Sequence, residues 1–335
     1  MKKRMAPAAV RTLTGTAQLS TRLSTTWISA LALLLMLLIG SKLTAQKQGL
    51  LSEADHAQLS AYEDTLALLS YAIVNDSLPE HRFGACREFI LKLKTALKTD
   101  HSFQYKFDRI KSASIMYPQD SSFRLITWQL YVDQNEYRYY GAIQMASKEL
   151  QLFPLIDRSF DLETKGNLEQ MTFESGKWYG ALYYNMKEFK GPDGSPHYLV
   201  FGYDGYEFFN KRKVLDVLHF KNGKPVFGAP VFVYEPSNRP AYTKNRIMMQ
   251  YSAEVGAKLN YDAAYEKVML DHLISMPSPH GDIANYPDGS YEGFEWKRDG
   301  KWHHVSKVFH QVQDEPILPD PILDSRTKNI FGKNR

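Results

Sequence analysis

The chain lacks the cysteines that a disulfide-stabilised extracellular protein needs. Cys86 is its one cysteine among 335 residues, which excludes an internal disulfide framework. A G-x-S-x-G nucleophile elbow, a glycine-rich phosphate loop and a cysteine in a nucleophilic setting are missing as well. The sequence therefore carries no motif for the common hydrolase or nucleotide-binding chemistries, and no cofactor is predicted.

Acidic residues are missing from the first 45 positions. Six of the 41 Lys and Arg residues lie there, whereas all 37 Asp and Glu residues follow. The rest of the chain, with 35 basic and 37 acidic residues, is close to neutral. Because the positive net charge belongs to this leader, it gives no support to a nucleic-acid partner.

The same leader contains an uncharged apolar run. Residues 27–40 read WISALALLLMLLIG, basic residues precede them, and Ala45 belongs to the segment Leu-Thr-Ala-Gln that follows. These three parts predict a secretory signal peptide over residues 1–45. The alternative is an uncleaved membrane anchor. In both cases the body is exported, and contact with a membrane is restricted to an uncleaved leader.

Two helical patterns follow the leader. In each of them, apolar residues recur at spacings of three and four and so form one helical face. The two series are Leu59, Tyr62, Leu66, Leu69 and Ile73, then Phe83, Cys86, Ile90, Leu93 and Leu97. Since only residues 76–79 interrupt the pattern, it predicts an antiparallel helical hairpin within residues 46–100.

From residue 101 the apolar period changes to two, and aromatic residues become dense. Of 44 aromatic residues, 38 lie between positions 103 and 309. Turns such as Asn222-Gly223 and Asp299-Gly300 separate the strand candidates. Short connections cannot join parallel neighbours, so we expect a mostly antiparallel sheet system over residues 101–311. The predicted class is α+β, with a sandwich or an open barrel after the hairpin, and a proline-rich segment predicts an extended tail over residues 312–335.

Several strand candidates are apolar on both faces. Residues 178–186 place Trp178 and Leu182 on one face and Tyr179 and Tyr183 on the other. Both faces must then be covered by a further sheet layer, by the helical pair or by a partner. Pro230 within the candidate strand 226–234 predicts an edge position or a bulge.

One polar group of residues suggests chemistry. Asp271, His272, His280 and Asp282 follow one another at a strand end, and such side chains suit acid–base catalysis or a divalent metal. Adjacent strand residues point to opposite faces, so Asp271 and His272 cannot share a pocket. The catalytic candidates are therefore Asp271, His280 and Asp282, and the metal-ligand candidates are His272, His280 and Asp282. Because His272 lies on the face of Val268 and Leu270, its alternative role is that of a hydrogen-bonded histidine in the core or at the rim of the sheet.

Five strings in the strand-rich region carry a resemblance to known sequences. They are FRLITWQLYVDQNEYRYYGAIQ (residues 123–144), WYGALYYN (178–185), KVLDVLHFKNGKPVFGAPVF (213–232), LDHL (270–273) and PDGSYEGFEWKRDGKW (287–302). In these strings the chain resembles uncharacterised exported β-rich proteins of Bacteroidota-type bacteria. The resemblance implies an extracytoplasmic setting and one continuous β-rich region, and it implies no activity.

The sequence leads to two functional hypotheses. The leading one is a non-enzymatic module of the periplasm, cell surface or medium that binds a protein, a glycan or an envelope component. Aromatic residues on a sheet could stack on sugars, although buried aromatics are the rule in strands with two apolar faces. The alternative is an extracytoplasmic hydrolase, with or without a metal ion, that uses Asp271, His280 and Asp282. A structural envelope subunit is a third class.

Overall fold

Two long helices open the part of the chain that the structure describes. This structure, a computed structural model, describes residues 50–279 and 281–309. The predicted signal peptide and the predicted tail lie outside these residues, as does His280. Helix α1 spans Glu53–Asn75 and helix α2 spans Pro79–Leu97. They form the predicted hairpin.

Local sequence explains where each helix begins. The Ser52 Oγ accepts a hydrogen bond from the Asp55 N–H at 3.0 Å and so caps α1. Pro79 begins α2, where its missing N–H costs nothing. The buried stripe of α2 keeps Cys86, Leu93 and Leu97 of the predicted one. Phe89 is fully buried in place of Ile90, which is 37% exposed.

Sixteen strands and one short helix follow in the described residues. In chain order they are β1 Ser114–Met116, β2 Phe123–Asp133, β3 Glu136–Met145, β4 Leu152–Ile156, α3 Ser159–Glu163, β5 Phe173–Glu174, β6 Leu182–Lys190, β7 Pro196–Asp204, β8 Asn210–Lys221, β9 Lys224–Phe227, β10 Phe232–Tyr234, β11 Tyr242–Lys244, β12 Ile247–Ser252, β13 Leu259–Asp262, β14 Lys267–Pro277, β15 Ile283–Trp296 and β16 Trp302–Val305.

These strands form three open sheets. The first sheet has the order β1-β2-β3-β4, and the third has the order β11-β10-β16-β15-β14-β13. The middle sheet has the order β5-β9-β8-β7-β6, with β12 beside the first half of β8. All pairs are antiparallel except β10 with β16. The prediction of a mostly antiparallel system is confirmed, and since none of the sheets closes on itself, stacked sheets describe it better than an open barrel does.

The layers follow the order of the chain. The helical hairpin packs on one face of the first sheet through Phe89, Ile126 and Trp128. The other face of the first sheet packs on the middle sheet, and the middle sheet packs on the third. The described part of the chain is thus a stack of one helical and three sheet layers. The predicted cover for the two apolar faces is provided within the chain.

Strand β7 shows why the middle sheet needs cover on both sides. Leu199 and Phe201 point to the core shared with the third sheet, and Tyr198 and Val200 point to the core shared with the first. All four side chains are at most 2% exposed. At about 1.5–3 kcal/mol for each large apolar side chain, this double burial is the main source of stability for the stack.

The middle sheet contains a buried ion pair between Asp216 of β8 and Arg246, the residue before β12. Arg246 Nε donates to Asp216 Oδ2 at 3.0 Å, and both side chains have no exposed area. The guanidinium also donates to the backbone carbonyls of Met171 at 2.9 Å and Phe227 at 3.2 Å. Because these carboxylate and carbonyl oxygens accept hydrogen bonds from the guanidinium, the positive charge of Arg246 is tolerated inside the core. Arg246 thereby connects β8, the end of β9 and the turn that precedes β5.

The same arginine explains a difference from the predicted strand 226–234. That strand is broken into β9 of the middle sheet and β10 of the third sheet. Between them Gly228 has a φ of +95°, and a Cβ there would lie 2.7 Å from Arg246 Nη2. The chain therefore leaves one sheet and enters the next at Gly228 and Pro230, which is where the proline predicts an irregularity.

The helices of the described residues give no indication of a membrane span. Neither α1 nor α2 combines the length and the apolar character that crossing a bilayer requires.

Two histidines stack inside the middle sheet. His197 of β7 and His219 of β8 are register partners, with ring centroids 4.8 Å apart and an angle of 5° between the rings. Burial, with smaller contributions from the neighbouring His197 and Lys221, lowers the pKa of His219 to about 4 against the opposing effect of Asp193. The folded protein therefore keeps His219 neutral at pH values where an unfolded chain protonates it.

We expect Arg246→Met to lower the free energy of unfolding by about 3–5 kcal/mol, because the variant leaves the buried Asp216 carboxylate without its counterion. Urea unfolding followed by circular dichroism measures this loss. The double variant Asp216→Leu/Arg246→Met serves as the control and should recover part of the stability. A loss below about 1 kcal/mol in the single variant would contradict the role given to the pair.

We expect the protein to lose about 2 kcal/mol of stability through His219 as the pH falls from 6.5 to 4. The sign follows from the lowered pKa, since only the unfolded state takes up the proton in this range. His219→Phe keeps a stacked ring and should reduce this acid loss, whereas His81→Gln on the surface should not. Equal pH slopes for the wild type and His219→Phe would refute this assignment.

Candidate ligand cleft

Asp271, the first of the predicted catalytic residues, has a structural role in the described fold. It lies in β14 and is 9% exposed. Its Oδ2 accepts a hydrogen bond from the Lys258 N–H at 2.6 Å, and its own N–H donates to the Lys258 carbonyl at 3.0 Å. The carboxylate thus holds the segment before β13 against β14.

The remaining predicted site residues do not join Asp271 in a cluster. Asp282 lies beyond the far end of β14, about 20 Å along the strand from Asp271 at 3.3 Å per residue. His272 lies at a bulge in β14, and its Nδ1 lies 2.8 Å from Asp288 Oδ2. His280 is outside the described residues. Among the residues that are described, no three His, Cys, Asp or Glu side chains are placed to share a metal ion.

One open cleft, beside the β2–β3 turn, is lined by charged groups that already have partners. Its volume is about 960 Å³, and it lies between the β2–β3 turn and the segment around α3. Arg138 pairs with Glu136 at 2.9 Å. The carboxylate of Asp157 accepts hydrogen bonds from Tyr139 N–H and Ser159 N–H at 2.9 and 3.0 Å. The charges of this cleft thus serve largely to order its own walls.

A smaller cleft of about 430 Å³ has a different composition. It opens between the edge strand β6 of the middle sheet and the strands β13–β16 of the third sheet. Five aromatic side chains line it: Phe189, Tyr261, Tyr265, Trp296 and Trp302. We call it the aromatic cleft. Its volume is within the range of about 300–1,000 Å³ that is typical of small-molecule sites.

The aromatic side chains of the cleft are buried at its base and partly exposed at its mouth. Trp302 is buried and packs edge-on against Phe189 and Tyr261, with ring centroids 5.7 and 6.3 Å away. Towards the opening, Trp296 is 38% exposed and Tyr265 is 51% exposed. A ligand can therefore contact large aromatic surfaces at the mouth while the rings at the base stay fixed by the core.

Two turns hold the mouth in place. The Trp296 Nε1–H donates to the Lys190 carbonyl at 3.3 Å, which ties β15 to the end of β6. Gly300 has a φ of +77° and lies against Gly191, since a Cβ there would come within 2.6 Å of the Gly191 carbonyl carbon. The β15–β16 turn thus packs directly on the β6–β7 turn. Trp296 is positioned by both sheets.

An ion pair and a lysine side chain lie beside the aromatic rings of the cleft. Lys267 Nζ lies 3.2 Å from Glu295 Oε2, and Lys187 Nζ lies 4.7 Å from the centroid of Tyr261. Both distances allow favourable electrostatic contacts, an ion pair and a cation–π contact. The cleft therefore combines apolar ring surfaces with polar groups that can donate to and accept from a ligand.

The backbone edge of β6 is partly blocked. Gly191 N–H bonds to Ser195 O, so the alternation of an antiparallel ladder directs the backbone groups of residues 186, 188 and 190 away from β7. The Met186 N–H is bonded to Asn185 Oδ1 at 2.8 Å, and the Lys190 carbonyl is bonded to Trp296. An added peptide strand would have to replace these bonds.

Comparison of the chain with protein-family models, with curated proteins and with solved structures finds no match.

The aromatic cleft is not predicted from the sequence. The sequence predicts strands with aromatic residues, but the contact between Tyr261 of β13 and Trp302 of β16, which lie on strands that are not adjacent, is a feature of the folded third sheet. The available signal is the placement of Tyr261, Tyr265, Trp296 and Trp302 beside the turns of two successive hairpins. That pattern alone does not show that β6 forms the opposite wall of the cleft.

Proposed function

We propose that this chain is an exported, extracytoplasmic binding module without catalytic activity, and that its aromatic cleft holds a carbohydrate chain. The observation that carries the proposal is the aromatic cleft, in which partly exposed Tyr and Trp rings stand beside an ion pair and a free ammonium group. Export is proposed from the basic, apolar and small-residue parts of the leader.

The chemistry of a sugar matches this composition. A pyranose ring has an apolar face of C–H groups and an edge of hydroxyl groups. Tyr265 and Trp296 offer aromatic surface to the C–H face of the sugar. The Lys267–Glu295 pair offers hydrogen-bond donors and acceptors to its hydroxyl groups. A flat apolar ligand would cover the Lys187 ammonium without offering it an acceptor, which costs about 1–3 kcal/mol for a buried group.

The position of the cleft also favours a chain-like ligand over an added peptide strand. The cleft is open on its outer side and runs along β6, where the outward Met186 N–H and the outward Lys190 carbonyl already have side-chain partners. A carbohydrate chain does not need those backbone groups. It can extend beyond the opening while one or two rings rest on the aromatic side chains.

We expect Trp296→Ala and Tyr265→Ala each to weaken carbohydrate binding about tenfold, because an aromatic contact contributes about 0.5–1.5 kcal/mol beyond its buried area. Affinity electrophoresis against a panel of neutral and acidic polysaccharides identifies a ligand, and calorimetry with its oligosaccharides gives the dissociation constants. Release of reducing ends is measured in parallel and should not occur.

The matched control is Tyr71→Ala, since Tyr71 is a 65% exposed tyrosine of α1 on the helical layer. It should bind as the wild type does. Equal weakening by Tyr71→Ala and Tyr265→Ala would contradict the location of the site. Failure of the wild type to bind any polysaccharide of the panel would contradict the proposed function itself.

A further inference from the structure

Lys187 is a charged side chain on the inner face of an edge strand. It lies two residues before Phe189 in β6, and side chains two apart in a strand share a face. Phe189 is buried in the core between the middle and third sheets. The Lys187 ammonium therefore enters the aromatic cleft, where it lies 4.7 Å from the centre of the Tyr261 ring.

Three carboxylates line the cleft, those of Glu188, Glu266 and Glu295, and none of them pairs with this ammonium. Glu266 is an exposed residue of the turn between β13 and β14. Glu295 is engaged by Lys267 at 3.2 Å. Glu188 is adjacent to Lys187 in β6 and so points to the opposite face, where its charge acts on Tyr198 of the other core. Within the described ranges, Lys187 forms no ion pair with any carboxylate, and Tyr261 is its electrostatic partner.

We propose that Lys187 binds a carboxylate of the ligand, so that the aromatic cleft selects an acidic carbohydrate, a chain that contains uronic acid residues. This inference rests on the proposed carbohydrate binding and names its substrate class. The Tyr261 ring positions the ammonium. The partly exposed Trp296 and Tyr265 contact the sugar rings, and the carboxylate of one sugar reaches Lys187.

The alternative role for an inward-pointing lysine is protection of an edge strand against pairing with a second copy. In β6 part of that protection has another source, since Asn185 bonds the outward Met186 N–H and Trp296 bonds the outward Lys190 carbonyl. Lys187 is therefore available for a ligand. If Lys187 binds the ligand, loss of its charge lowers the affinity for the ligand. If it protects the edge strand, loss of its charge changes the oligomeric state.

The test compares tetragalacturonate with its methyl-esterified counterpart, which has the same rings without the charges. We expect the wild type to bind tetragalacturonate at least tenfold more tightly, and we expect that preference to fall as salt is raised. Lys187→Met should reduce the affinity for tetragalacturonate about tenfold, as expected for loss of one charge-assisted hydrogen bond. It should leave the affinity for the ester unchanged. Lys187→Arg should stay within about threefold of the wild type.

The matched control is Lys92→Met, because Lys92 also lies over a tyrosine ring, that of Tyr62, but on the helical layer. It should bind both oligosaccharides as the wild type does. Thermal unfolding and size-exclusion chromatography accompany each variant, so that loss of folding or a change of oligomeric state is recognised. Should Lys187→Met be misfolded, the preference and salt dependence of the wild type and Lys187→Arg still decide the matter.

Failure of the Lys187 assignment and failure of the proposed function give different experimental results. Equal affinity of the wild type for the acid and the ester, or unchanged affinity in Lys187→Met, overturns the assignment of Lys187 while the proposed function stands. Self-association of Lys187→Met with unchanged affinity assigns the lysine to edge protection and overturns the inference too. Absence of binding to every carbohydrate of the panel removes the proposed function, and the inference with it.

Discussion

The middle sheet is buried on both faces, and the rest of the structure depends on this constraint. Strand β7 sends Leu199 and Phe201 to one core and Tyr198 and Val200 to the other. A sheet of this kind is stable only between two covers. The first sheet and the third sheet provide them, and the helical hairpin covers the outer face of the first. The Asp216–Arg246 pair within this sheet connects strands that are distant in sequence.

The aromatic cleft is a consequence of this layering. The third sheet covers one face of the middle sheet, and where its strands β13–β16 meet the edge strand β6 the two layers leave an open space. Residues that continue the core pattern, such as Phe189 and Trp302, become its base. Lys187, two positions before Phe189 in β6, and Trp296, the register partner of Trp302 on β15, reach its mouth. The proposed binding surface is thus formed by core strands that continue to the edge of their sheets.

Local patterns in the sequence predict much of the fold. The spacing of Leu59, Leu66 and Ile73 predicts α1, and the turn at Asn222-Gly223 separates β8 from β9 as expected. The pairing of distant strands is not contained in such patterns. The break at Gly228 depends on Arg246, and the cleft depends on β6 meeting a sheet that begins more than forty residues later. The four polar candidates near residue 271 share a segment of sequence, but strand length separates Asp271 from Asp282.

Hydrogen–deuterium exchange of the wild type with and without a bound oligosaccharide tests the central claim most directly, because it locates the ligand without a substitution. The account predicts slower exchange at residues 187–190, 261–267 and 295–302, which line the aromatic cleft, and unchanged exchange in the helical hairpin. Protection centred on the hairpin or on the cleft beside the β2–β3 turn, with none at these three segments, would contradict it.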